Sequence, residues 1–117
     1  MDFGFSAEQD MLRQTARAFL AENSPPSFVR QMMEDERGYK LELWKEMADL
    51  GWLGLAFPEE YGGQGLGFVD LTVILEEMGA VLLPSPFFSS ILLAGQTILI
   101  GGSEAQKKTY LANMADG

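Results

Sequence analysis

Between Phe57 and Gly67 the chain reads FPEEYGGQGLG, and no continuous helix or strand can be drawn through this run. Pro58 lacks an N–H and its ring clashes with the preceding turn of a helix. Gly62, Gly63, Gly65 and Gly67 follow closely. Glycine stands where a backbone needs positive φ or must approach another group closely. Tyr61 anchors the run and serine is absent from it. It therefore reads as a shaped loop, since a slack linker is Gly/Ser-rich.

Phosphate binding is the first function to test for such a loop, and the spacing opposes it. A G-x-G-x-x-G pattern counted from Gly63 ends on Phe68, and counted from Gly65 it ends on Asp70. A P-loop needs Gly-Lys-Ser/Thr, whereas Gly67 is followed by Phe68. Glu59 and Glu60 would repel a phosphate at close range. The loop is expected to be a connector between helices, with strict backbone demands.

Helical signals flank the loop on both sides. Ser6-Ala7-Glu8-Gln9 is a capping box. Behind it Met11, Leu12, Thr15, Ala16, Phe19 and Leu20 recur at helical spacing. Asn23-Ser24-Pro25-Pro26 ends that helix and starts a second, with proline at the favoured first position. Phe28, Val29, Met32 and Met33 give the second helix a core stripe, and Arg37-Gly38 closes it. A third helix is expected from about Lys40 to Leu50, with Leu41, Trp44, Met47 and Ala48 inward and Gly51 as a left-handed cap. The apolar stretch Trp52–Phe57 fits a brief strand or an extended segment.

Beyond the loop, a fourth helix spans about Phe68 to Val81, with Leu71, Ile74, Leu75 and Met78 on one face. Glu76 and Glu77 lie near its end, where the helix dipole disfavours anions, and read as a solvated edge. Ser85-Pro86 opens a fifth helix that ends at Gly101-Gly102. Ser103-Glu104-Ala105-Gln106 is a second capping box and starts a sixth helix carrying Tyr110, Leu111 and Met114. The expected fold is all-α: an orthogonal or up-down bundle of about six helices, with the Gly-rich loop between helices 3 and 4.

The fifth helix stands apart, because no charged residue occurs from Met78 to Ser103. A helix apolar all round is buried or in a membrane. Pro84, Pro86, Ser89, Ser90 and Gln96 interrupt the run too often for a span of ~20 apolar residues. A central, buried helix is expected. Its serines are either packing residues bonded back to the backbone or polar points in an apolar slot.

Composition removes several chemistries. The 117 residues include neither Cys nor His. That excludes disulfides and thiolate chemistry, and removes the commonest metal ligand and neutral-pH proton carrier. Carboxylates alone rarely hold zinc. A net charge of −9 and a pI near 4.3 argue against nucleic acid, which needs a basic patch. Asp2 and Glu8 occupy the place of a signal peptide's basic region, so none is expected. One domain is expected from the length.

Three runs in this order resemble the N-terminal helical domain of the acyl-CoA dehydrogenases. They are MDFGFSAEQDMLRQTARAFL (Met1–Leu20), FPEEYGGQGLGFVDLTVILEEMG (Phe57–Gly79) and GSEAQKKTYLANMADG (Gly102–Gly117). LLPSPF at Leu82–Phe87 is similar to bacterial members. The resemblance covers essentially the whole chain, as one domain over residues 1–117.

What the resemblance implies is an FAD-dependent oxidation of an acyl-CoA to a 2,3-enoyl-CoA. A glutamate removes the α-proton while the β-hydride passes to the flavin. In the family the flavin contacts and that glutamate lie in a middle β domain and a C-terminal helical domain. No glutamate here matches the base by motif, so no catalytic residue and no flavin or metal ligand is assigned. The resemblance further implies that this chain alone lacks dehydrogenase activity. It implies an electron-transfer flavoprotein or similar acceptor, a homo- or hetero-oligomeric whole protein, and a cytoplasmic bacterial setting. The helix at Pro86–Ile100 corresponds to one wall of the family's acyl cavity, and Phe88, Ser89, Leu92 and Leu93 are the expected wall residues. The alternative is a stand-alone helical interaction module without catalysis.

Overall fold

Six helices and no strand make up the computed structural model, which describes residues 1–117. They are α1 (Ala7–Asn23), α2 (Pro26–Met33), α3 (Leu41–Asp49) and α4 (Phe68–Ala80), followed by two composite helices. In α5 a π-helical stretch, Phe87–Ala94, runs directly into the α-helix Gly95–Gly101. In α6 the α-helical turns Glu104–Gln106 and Ala112–Asp116 flank the π-helical stretch Lys107–Leu111. The Gly-rich loop lies between α3 and α4 and carries one 3₁₀ turn, Glu59–Tyr61.

The helix starts follow the capping chemistry. Ser6 Oγ accepts from Gln9 N at 3.1 Å while Gln9 Oε1 accepts from Ser6 N at 2.9 Å. Ser103 and Gln106 repeat the arrangement at 3.2 and 2.9 Å. Asp70 Oδ2 accepts from Gly67 N at 2.9 Å, and its other oxygen accepts from Gln9 Nε2 at 3.1 Å. The starts of α1 and α4 are thereby tied together, and these two helices pack along each other. Gly51 has φ +81° and caps α3 as expected.

α2 stops four residues short of the expected close at Arg37-Gly38. Asp35 Oδ2 accepts from the backbone N–H groups of Arg37 and Gly38 at 2.9 and 3.0 Å. Those donors are then lost to a helix ladder. Met33 points outward at 77% exposure, and in α3 the buried residues are Leu43, Trp44 and Met47, with Leu41 exposed.

Trp52–Phe57 forms turns, with no strand partner. Trp52, Leu53, Leu55 and Phe57 are all buried. They join Ala16, Leu20, Trp44, Met47, Leu71, Ile74, Met78, Phe87, Ile91 and Leu111 in one core. The core lies in a slab of 42 × 42 × 20 Å. Its accessible surface is 7186 Å², against ~6,300 Å² from the size scaling for a 12.9 kDa monomer. A flat shape leaves more surface than a globule of this mass requires.

Candidate functional site: an apolar helix and the recesses beside it

The Gly-rich loop folds back onto the apolar turns that precede it. Gln64 N donates to Gly54 O at 2.9 Å, Gly65 N to Phe57 O at 2.9 Å and Leu66 N to Leu55 O at 3.0 Å. A Cβ at Gly63 would lie 2.0 Å from Phe57 O, so only glycine permits this approach. Tyr61, buried in the loop, donates its hydroxyl to Glu104 Oε2 at 2.7 Å. That bond, then burial, pushes the Tyr61 phenol up to about 12. The same bond holds the Glu104 carboxyl below its ordinary value. The loop's donors and its one phenol are thus spent inside the fold, as expected of a connector.

Through Phe57 the loop meets α5. A Cβ at Gly95 would lie 2.6 Å from Phe57 Cζ, so glycine lets the helix close onto the ring. Phe87, Ile91 and Gly95 form the buried stripe of α5. Phe87 also stacks edge-on against Trp44, with centroids 6.5 Å apart at 74°.

The expectation of a helix buried on all sides fails. Phe88 is 61%, Leu93 53% and Ile100 83% exposed. No other element of the chain covers that face, although it carries no charge. An apolar helix can lack a polar face because it is surrounded or because its partner is not part of the same chain segment, and its sequence is the same in both cases.

The four expected wall residues are divided by the fold. Phe88 lines an apolar recess of about 230 Å³ with Leu75, Met78, Leu82, Leu83 and Phe87. Ser89 lines a second groove, of about 390 Å³, with Trp44, Ser90, Ile91, Tyr110 and Met114. Leu92 packs against the core and Leu93 faces outward. The structure therefore does not gather the four in one cavity. Leu75, Leu82 and Leu83, which share the Phe88 recess, were not among the expected wall residues, because the last two precede the helix and the first belongs to α4.

Little polar chemistry is available on α5. Ser89 Oγ donates to Pro86 O at 3.2 Å and Thr97 Oγ1 to Leu93 O at 2.7 Å, so both hydroxyls bond back to the helix. Gln96 Nε2 is buried without a protein partner. The ionic groups lie elsewhere. Glu77, expected at a solvated edge, is only 5% exposed. It accepts from Arg17 Nη2 at 2.8 Å and from Arg13 Nη1 at 3.1 Å, and Arg13 also reaches Glu76 at 2.9 Å. Arg17, then Arg13, holds the Glu77 carboxyl below the ordinary carboxylate value against the opposing effect of burial.

These residues do not fit a flavin. Neither recess beside α5 is lined by a cation that would hold a pyrophosphate. The largest cleft, about 830 Å³ between α2 and α3, sets Asp35, Glu36 and Glu42 beside Arg37 and Lys40. No three acidic side chains converge as a metal site.

The fold and site define a six-helix domain with an uncovered apolar face on α5. The family model described as the acyl-CoA dehydrogenase N-terminal domain matches residues 6–117, and the chain belongs to the acyl-CoA dehydrogenase family as that domain. Acyl-CoA dehydrogenase IpdE2 of Mycolicibacterium smegmatis is 36% identical over 100 residues, covering 85% of this chain and 32% of that protein. A chain of the ChsE4–ChsE5 complex from Mycobacterium tuberculosis superposes with a TM-score of 0.88 at 25% identity, over 99% of this chain and 32% of that one. Glutaryl-coenzyme A dehydrogenase, solved with glutaryl-CoA, gives 0.76 at 31% identity over 99% and 30%. The chain thus spans about a third of the length of these relatives.

Proposed function

We propose that this domain serves an FAD-dependent enzyme that oxidises an acyl-CoA to a 2,3-enoyl-CoA, and that α5 supplies part of the wall of its acyl cavity. The observation that carries the reading is the uncovered, uncharged face of α5, with Phe88 and Leu93 outward in a domain of this family. An acyl chain needs apolar lining and no hydrogen-bond partners along its length. Among the expected wall residues, Phe88 is assigned to direct acyl contact, Leu93 to the outward face, and Ser89 and Leu92 to holding the helix in place.

The flavin and the base that takes the α-proton are assigned to parts of the protein beyond this domain, as the family resemblance implies, and neither recess beside α5 offers a cation for a pyrophosphate. An electron-transfer flavoprotein or a similar acceptor is the proposed electron partner. Assembly with further copies or a related subunit is also proposed, and the ChsE4–ChsE5 complex among the solved relatives supports it. No helix is long and apolar enough to cross a membrane; a cytoplasmic bacterial setting is part of the proposal, and the relative from Mycolicibacterium smegmatis supports its bacterial half.

The test is to express the reading frame through and beyond Gly117 and to add acyl-CoA esters anaerobically. Bleaching of a bound flavin by at least one ester is expected. Absence of flavin from the longer protein, with no flavin-binding partner recovered, would sink the reading.

A further inference from the structure

The two π-helical stretches of the fold line the same groove. π turns are rare, and single ones interrupting an α-helix recur at functional sites. From the stretch Phe87–Ala94 of α5 come Ser90 and Ala94, and from the stretch Lys107–Leu111 of α6 comes Tyr110. Asn113 and Met114 follow it along α6 and also line the groove.

α6 is fixed at both ends, by different chemistry. At its start the capping box of Ser103 and Gln106 and the Tyr61–Glu104 hydrogen bond of 2.7 Å hold the first turn. The Glu104 side chain is 68% exposed, so this anchor is polar and open to water. Toward its end Leu111 is fully buried. Ala115 closes on the backbone of Gly54, where an added Cβ would stand 2.7 Å from Ala115 Cβ. That second anchor is close packing, which has little room to yield.

The π stretch lies between the two anchors, where α6 passes the 3₁₀ turn Glu59–Tyr61 and the second half of α5. In a π turn each hydrogen bond closes one residue later than in an α-helix. Straightening the stretch to α geometry turns one end of α6 against the other by about one residue position, ~100°. The packed end cannot follow, so the first turn moves and Glu104 leaves Tyr61.

We propose that α6 is a two-register switch: the Tyr61–Glu104 bond latches the π-helical register, and its release straightens the helix and moves Tyr110 at the groove beside α5. Tyr110 is half exposed and free to move. Tyr61 does not line that groove, so the Gly-rich loop and the groove are coupled through the helix. Such coupling needs an element with two discrete arrangements, and the π and α registers supply them. The switch does not depend on what the groove holds.

The test uses the 117-residue chain with amide and methyl labels. Tyr61→Phe and Glu104→Ala each remove the latch from one side. Both are expected to shift or broaden the amide resonances of residues 104–110. Both should also move the Ala94 and Met114 methyl resonances at the groove, which neither Tyr61 nor Glu104 lines. Either variant alone decides that comparison. Deleting Thr109, an exposed residue of the π stretch, should leave a folded chain with Tm within a few degrees of wild type, because the helix loses only its wide turn. Its Ala94 and Met114 methyls should move in the same direction as in the latch variants. Deleting Thr72 from the unbroken helix α4 is the control. It throws Ile74, Glu77 and Met78 out of register and should unfold the chain. Unmoved Ala94 and Met114 methyls in the latch variants would overturn the proposal. Unfolding on deletion of Thr109, as on deletion of Thr72, would overturn it equally.

Discussion

Arg17 grips Glu77 with both edges of its guanidinium: Nη2 donates to Oε1 at 2.8 Å and Nε to Oε2 at 3.1 Å. The pair joins α1 to α4 and is completed by Arg13, which shares Oε1 and bonds Glu76. Phe5 lies against the Arg13 guanidinium, 4.7 Å from its ring centroid. Bidentate geometry fixes the rotation of one helix against the other, which a point charge would not.

The Glu77 network should make the domain sensitive to acid. The folded-state value of Glu77 is lowered from 4.5. Its contribution is therefore complete above about pH 4.5 and is lost as pH falls through the lower folded value. Thermal melts between pH 7 and pH 3 should show wild type more stable than Glu77→Gln at pH 7, with the gap closing below pH 4.5. A gap independent of pH would contradict the assignment.

Tyr61 should act at the opposite end of the scale. Its phenol is raised from 10.0 to about 12, so the stabilisation is complete below pH 10 and is lost as pH rises toward 12. Absorbance titration of the phenolate should show a late phase near pH 12 that belongs to Tyr61. Tyr61→Phe should remove that late phase and flatten the fall in stability between pH 10 and 12.

Gly95→Ala should destabilise by about 1–3 kcal/mol, the usual cost of overpacking. Its Cβ would stand 2.6 Å from the Phe57 ring, which is only 1% exposed and cannot swing away. Gly101→Ala is the control: nothing lies within 4 Å, and a gain of about 0.5 kcal/mol is expected. Urea midpoints of the two variants should move in opposite directions.

The capping boxes offer a local test. Ser6→Ala and Ser103→Ala each remove one acceptor from a helix start and should each cost about 1 kcal/mol. The sites lie on separate helices, so the double variant should be additive within ~0.5 kcal/mol.

Dye binding should report the uncovered face of α5. Leu93→Ser and Ile100→Ser replace residues 53% and 83% exposed, so unfolding free energy should change by no more than about 0.5 kcal/mol. The double variant should bind less 1-anilinonaphthalene-8-sulfonate and associate less at high concentration. Equal dye binding by wild type and double variant would show that this face is not the exposed apolar surface.

Much of the architecture was legible because it is written in short-range chemistry. Ser6, Gly51 and Ser103 mark helix ends through contacts within three residues, and α4 runs over nearly the expected range. The Gly-rich loop is a connector, as its spacing indicated. Other features were hidden because their partners are remote in sequence. Glu77 looked like a solvated edge until Arg13 and Arg17, some sixty residues earlier, closed on it. Trp52–Phe57 looked like a possible strand, but its alternate residues fill the core from turns, which periodicity cannot distinguish. Phe88 and Ser89 belong to different recesses because helix α5 is flanked by α4 on one side and α6 on the other.

From the sequence alone came the helical class, the helix starts, the exclusion of thiol, histidine and phosphate-loop chemistry, and the family resemblance. These depend on residue type and on spacing within a few turns. The tertiary structure alone decided which face of α5 is covered, which carboxylate is buried, and that Leu82 and Phe88 border one recess. The reason is physical: burial and ion pairing depend on which surfaces meet, and the meeting of α1 with α4, or of Phe57 with Gly95, is set by packing across the whole chain.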